Sequence, residues 1–164
     1  LGNEIGFYIF DYPPEKELQM REHISFLIKH LQKERPDLKA IHIDLFTLMI
    51  DYLKERNLLD KAFKFEETKD SDGLLNALSK PLSAERLAEA FIRKAEPDKK
   101  NLILASGVGK VWPLLRSHQL LNSLQPLVGY TPLVLFYPGQ YSGQDLRLFN
   151  KLEGKNYYRA FRLI

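Results

Sequence analysis

The sequence predicts an α/β fold, a mostly parallel sheet of five strands with flanking helices. Leu102 to Ala105 and Pro132 to Tyr137 are unbroken apolar runs, the pattern of strands buried on both faces. Segments with apolar residues at helical spacing lie between the strand-like runs. Four or five residues link the first helical segment to the strand after it, a usual length for an α/β unit. Such alternation of strand and helix implies right-handed crossovers between parallel strands.

Glu4 to Asp11 reads as the first strand, stopped by Tyr12-Pro13-Pro14. Pro14 can seed a helix, and Glu15 and Glu17 suit the positive end of its dipole. Met20, Ile24, Leu27, Ile28 and Leu31 recur on one face until Pro36 ends the element. Lys39 to Leu45 is the second strand. Phe46 to Phe65 reads as helix, divided near Asn57, and Glu66 to Gly73 as an exposed loop. Short helices follow at Leu74 to Leu78 and, behind a serine cap, from Ser83 to Ala95. This helical block, about 46–96, is too long for a simple crossover and predicts a lobe over one face.

The third strand ends in Ser106-Gly107-Val108-Gly109, and Pro113 opens a helix running through Leu124 to a stop at Gly129. The fourth strand ends in the loop Pro138-Gly139-Gln140. Leu146 to Phe149 suggests a short helix, and Tyr157 to Leu163 a last strand. In open α/β sheets, ligands collect at the carboxyl ends of the strands, so function is sought there.

A chain of 164 residues suits one domain over 1–164, able to bury roughly 70% of its unfolded surface. It begins with leucine and stops inside a strand-like segment, which reads as a fragment trimmed at both termini. No apolar run nears the roughly 20 residues of a membrane span. Cysteine is absent, which excludes disulfides, thiolate nucleophiles and cysteine-ligated zinc. A formal charge of only +3 is a weak nucleic-acid signal, because phosphate affinity needs clustered cations.

The element order is that of a P-loop NTPase with its phosphate loop missing. Asp11-Tyr12-Pro13-Pro14-Glu15 has no glycine, two prolines without N–H groups, and carboxylates that repel phosphate. Gly109-Lys110 fails as well, since Leu104 stands at the first glycine position and Val111 replaces the hydroxyl residue. Asp11 and Asp44 end two strands that could be neighbours and could hold a divalent metal, with Glu15 or His42 nearby. Helix capping is the commoner role of such aspartates. No G-x-S-x-G elbow joins Ser106, Ser117 and His118 into a triad. The second half is rich in aromatic and arginine side chains, the usual anchors of protein–protein interfaces.

The segments GFYIFDYPPEKELQMREHI, HIDLFTLMIDYLKERNLLDKAF, SGVGKVWPLLRSHQLLNSLQPL, TPLVLFYPGQY and NYYRAFRL together resemble the BrxB family of BREX systems, bacterial defence islands against phage. The resemblance covers nearly the whole chain. It implies a small cytoplasmic protein with no assigned catalytic residues and no cofactor. Its partners would be other BREX proteins, with a PglZ-type phosphatase-like component as the direct one. The combined expectation is a non-catalytic adaptor that binds through Tyr12, Pro13, Trp112, Arg116, Tyr137 and Tyr141 at exposed strand ends. Neither a membrane nor a small-molecule ligand is expected. The alternatives are a metal-dependent hydrolase using Asp11 and Asp44, or a nucleic-acid-binding accessory protein.

Overall fold

The computed structural model describes residues 6–157 and 159–163. The chain runs β1 (Phe7–Tyr12), α1 (Glu17–Glu34), β2 (Ala40–Asp44), α2 (Leu45–Glu55), α3 (Leu59–Thr68), α4 (Ser71–Ser79) and α5 (Ala84–Ala95). It continues with β3 (Leu102–Ser106), α6 (Val108–Val111), α7 (Ser117–Val128), β4 (Leu133–Tyr141), β5 (Asp145–Leu148), β6 (Lys155–Asn156) and β7 (Phe161–Arg162). The strand order is β2-β3-β4-β1-β7, and every pairing along this path is parallel. β5 adds an antiparallel arm beyond the carboxyl end of β4, and β6 pairs with β5. The parallel α/β architecture is as the sequence predicts.

The continuous apolar runs arise because both faces of the sheet are covered. Ile9, Ile103, Ala105, Leu133 and Leu135 point into a large core shared with α2, α5, α6 and α7. Their alternate neighbours Phe10, Tyr12, Leu104, Val134 and Phe136 point the other way, against Met20, Ile24, Leu27 and Ile28 of α1. A single helix thus covers the second face, and α1 buries only Ile24 fully.

The long helical block divides by burial rather than forming a separate lobe. α2 and α5 each bury five residues, and α5 packs on α7, α2 and β2. α3 and α4 bury none and lie outside. Asn57, at φ 55, separates α2 from α3 as the sequence suggests. The expected loop from Glu66 to Gly73 shrinks to Lys69 and Asp70, because the Asp70 carboxylate accepts the Gly73 N–H at 2.8 Å and starts α4. Ser83 caps α5 by accepting the N–H of Arg86.

The carboxyl half departs from expectation in four places. The helix expected at Pro113 starts at Ser117 instead. Proline pushes the residue before it into extended geometry, and Trp112 sits at φ −70, ψ 139. β4 runs through Pro138-Gly139 to Tyr141 rather than ending in a loop there. Leu146 to Phe149 belongs mainly to a strand, not a helix, since Ser142 Oγ accepts the N–H of Asp145 at 2.8 Å and turns the chain back on β4. The last strand is shorter than Tyr157 to Leu163, with only Phe161 and Arg162 beside β1. Glu4, Ile5 and Tyr158 lie outside the described residues. Among the described residues, no helix is long and apolar enough to cross a membrane.

Candidate functional site

A cleft of about 280 Å³ opens at the carboxyl edge of the sheet, between the α6–α7 turn and the β5 arm. Trp112, Arg116 and His118 form one wall, Tyr137 comes from the middle of β4, and Leu146, Leu148 and Lys155 come from the arm. Each position has a local cause. Gly107 takes a left-handed φ of +85 as β3 turns into α6, where a Cβ would lie 3.0 Å from Asp44 Oδ2. The chain then leaves α6 through the cis Trp112–Pro113 peptide, and Arg116 occupies the N-cap position of α7 without a side-chain cap of its own.

Trp112 is 42% exposed and Arg116 is exposed, whereas Tyr137 is buried. Burial raises the Tyr137 hydroxyl well above the ordinary tyrosine range, and a hydrogen bond with Ser117 only partly offsets it. The phenol therefore stays protonated. His118 is lowered by burial first, then by the positive charges of Arg116 and Lys155. Its imidazole is thus neutral at pH 7, acted on by a cation two residues before it and by Lys155 from the arm.

A second polar group occupies the same edge over β2 and β3. His42 Nε2 and Ser106 Oγ are 2.7 Å apart, and Lys110 Nζ donates to the Asp44 carboxylate. Asp44 also accepts the N–H of Thr47 at 2.9 Å, which makes it the N-cap of α2, as sequence reasoning favoured. Burial alone would raise the Asp44 carboxyl, but Lys110 and Thr47 together hold it below the ordinary range. Sequence reasoning missed the His42–Ser106 pair, because nothing in the sequence states that β2 and β3 are neighbours. In the parallel register Asp44 stands opposite Ser106, which places His42 one diagonal away.

Burial pushes the His42 imidazole below its ordinary pKa, Asp44 opposes this, and Lys110 adds to it. The folded state therefore resists a proton that the unfolded chain accepts near pH 6.5, so stability falls as pH drops below that value. Thermal melts from pH 7.5 to 5.5 should show a falling Tm for the wild type and a shallower fall for His42→Gln. Parallel curves for the two proteins would remove His42 as the cause.

Asp11 and Asp44 do not meet. β3 and β4 separate their strands, a span of roughly 14 Å at the usual strand spacing. Asp11 is not a helix cap either. Its nearly buried carboxylate accepts the N–H of Tyr141 at 2.8 Å and Arg162 Nε at 2.9 Å, tying β1 to both of its neighbours. The two-aspartate metal centre is thus overturned by strand order, and among the described residues no cluster of three or more His, Asp or Glu could hold a metal.

Of the six expected contact residues, the cleft gathers Trp112, Arg116 and Tyr137. Tyr12 and Pro13 lie on a different groove beside Met20 and His23 of α1. Pro13 is exposed, but Tyr12 is buried and donates to Glu17. Tyr141 is also buried, its hydroxyl donating to the Tyr157 carbonyl at 2.8 Å. The expected exposure of these tyrosines is corrected by the alternation of the strands, which turns Tyr137 and Tyr141 under the helical layer and Tyr12 under α1.

Fold and edge define a parallel α/β protein whose carboxyl rim presents a small cleft walled by an exposed tryptophan and two cations. A family model described as BREX protein BrxB matches residues 41–163, and the chain belongs to the BrxB family. A BREX protein BrxB of Escherichia coli O9:H4 (strain HS) is 41% identical over 99% of this chain and 80% of its own length. Another, from Bacillus cereus (strain H3081.97), is 41% identical over 100% of this chain and 86% of its own length. No solved structure matches.

Proposed function

We propose that this chain is a non-catalytic accessory protein of a BREX phage-defence assembly, working in the cytoplasm and docking a PglZ-type phosphatase-like component through the Trp112 cleft. Membership of the BrxB family supports the assembly. The observation that carries the docking role is Trp112, a large aromatic side chain left 42% exposed beside an exposed arginine. Aromatic and arginine anchors dominate protein–protein binding energies, and a large indole left open to water gains by being covered.

The same reading treats the sheet as a nucleotide-binding layout that has lost its phosphate loop. After β1 the chain enters Pro13 and a short 3-10 turn, Pro14–Lys16, and Glu17 accepts the hydroxyl of Tyr12. Two prolines and a turn closed on its own side chains offer phosphate few N–H donors.

Co-expression with each component of the operon, followed by size-exclusion chromatography, tests the proposal. The wild type should co-elute with the phosphatase-like protein. Trp112→Ala combined with Arg116→Glu should abolish co-elution while the circular dichroism spectrum stays unchanged. Undiminished co-elution of that double variant would count against this surface.

A further inference from the structure

We propose that the cleft receives an acidic segment of a partner protein, with its carboxylates on Arg116 and Lys155 and an apolar side chain against Trp112. This rests on the adaptor reading and specifies the chemistry that the partner must bring.

The charged lining of the cleft is Arg116, Lys155 and Glu153, and His118 lines it too. Among the described residues, neither Arg116 nor Lys155 makes an ion pair, although seven other pairs are present. Both cations lie close enough to His118 to oppose its protonation. Two cations lining one cleft, with a single exposed glutamate and no ion pair between them and it, suit an anion from outside the chain. The floor beneath them is apolar, formed by Leu146, Leu148 and Leu152. A ligand that fits therefore joins negative charge to an apolar group.

Size and sign favour a peptide over a nucleotide or nucleic acid. At about 280 Å³ the cleft is at the small end of ligand sites and has room for one or two inserted side chains. Glu153 on its rim repels the evenly charged backbone of a nucleic acid, whose binding depends on neutralising many phosphates. Carboxylates spaced along a peptide can avoid that glutamate. Arginine's planar fork also matches a carboxylate with two parallel hydrogen bonds.

Trp112 is the only tryptophan in the chain, so its fluorescence reports on the cleft directly. The probes are a capped heptapeptide of alternating glutamate and leucine, the same peptide with lysine for glutamate, and hexathymidylate. The acidic peptide should shift the emission saturably, with an affinity that weakens as salt rises. Arg116→Glu with Lys155→Glu should weaken it by about tenfold or more. No response to the acidic peptide, or an equal response from the charge-reversed protein, overturns the proposal. A response to hexathymidylate alone overturns it in favour of nucleic acid. The adaptor reading fails separately, if the wild type does not co-elute with the phosphatase-like protein. If co-elution survives the charge reversal, the adaptor stands and the acidic segment does not.

Discussion

Gly139→Ala should detach β5 from β4, lowering stability by about 3 kcal/mol and Tm by roughly 6–12 °C. A methyl group here would overlap the carbonyl oxygen of Arg147 and lie 3.0 Å from the Phe149 nitrogen. Both atoms belong to the facing backbone, which cannot rotate away as a side chain can. Gly139 stands opposite Leu148, and the adjacent Phe149 N–H donates to the Pro138 carbonyl at 2.8 Å. Widening the pair therefore breaks the ladder and removes Leu146 and Leu148 from the floor of the cleft. Gly143→Ala is the control, with nothing within 4 Å of the new methyl but a left-handed φ of +91. It should cost only about 1–2 kcal/mol. Thermal melts of the two variants settle the matter, and a Gly139→Ala protein melting within about 2 °C of wild type would show that the arm is not tightly joined.

Phe91→Ala should cost about 3–5 kcal/mol, a large share of the roughly 5–15 kcal/mol of a typical domain. Phe91 is fully buried in α5, which packs on α7, α2 and β2. The neighbouring layers are already fixed by Leu87 and Ala88 on α5 and by Leu121 and Leu124 on α7, so the void cannot collapse freely. Because the first turn of α7 carries Ser117 and His118 into the cleft, loss of Phe91 should loosen the site as well as the core. Urea denaturation should show a lower midpoint with an unchanged slope. A loss under about 1 kcal/mol would mean that α5 does not anchor α7 as described.

Much of the architecture was legible because its signals are local. Leu102 to Ala105 and Pro132 to Tyr137 could be read as doubly buried strands from apolarity alone, and β3 and β4, which they mark, lie inside the sheet. Asp44, Ser83 and Asn57 act on backbone groups within a few residues, so their roles were visible too. What was lost depends on partners far along the chain. Leu146 to Phe149 contains too few residues to distinguish helical from strand periodicity, and its pairing with Gly139 decides the outcome. Asp11 reads as a strand-end cap until Tyr141 and Arg162 arrive beside it. The chemical types of Trp112 and Arg116 pointed toward a binding surface, but Lys155 and His118 joined them only through the fold.

The position of β1 carries a consequence for how the protein is made. β1 comes earliest among the described strands, yet its two neighbours are β4 and β7, with Phe7 opposite Leu133 and Tyr8 opposite Phe161. Until β4 has left the ribosome, β1 lacks both of its described partners, and the apolar side of α1 has no complete sheet to cover. Closing so long a loop is slow, because its entropy is lost before the contacts are gained. The sheet can grow from β2 and β3 first, with β1 entering as one of the last strands. β1 and α1 therefore emerge well before their place in the sheet exists, and their apolar faces stay open until β4 arrives.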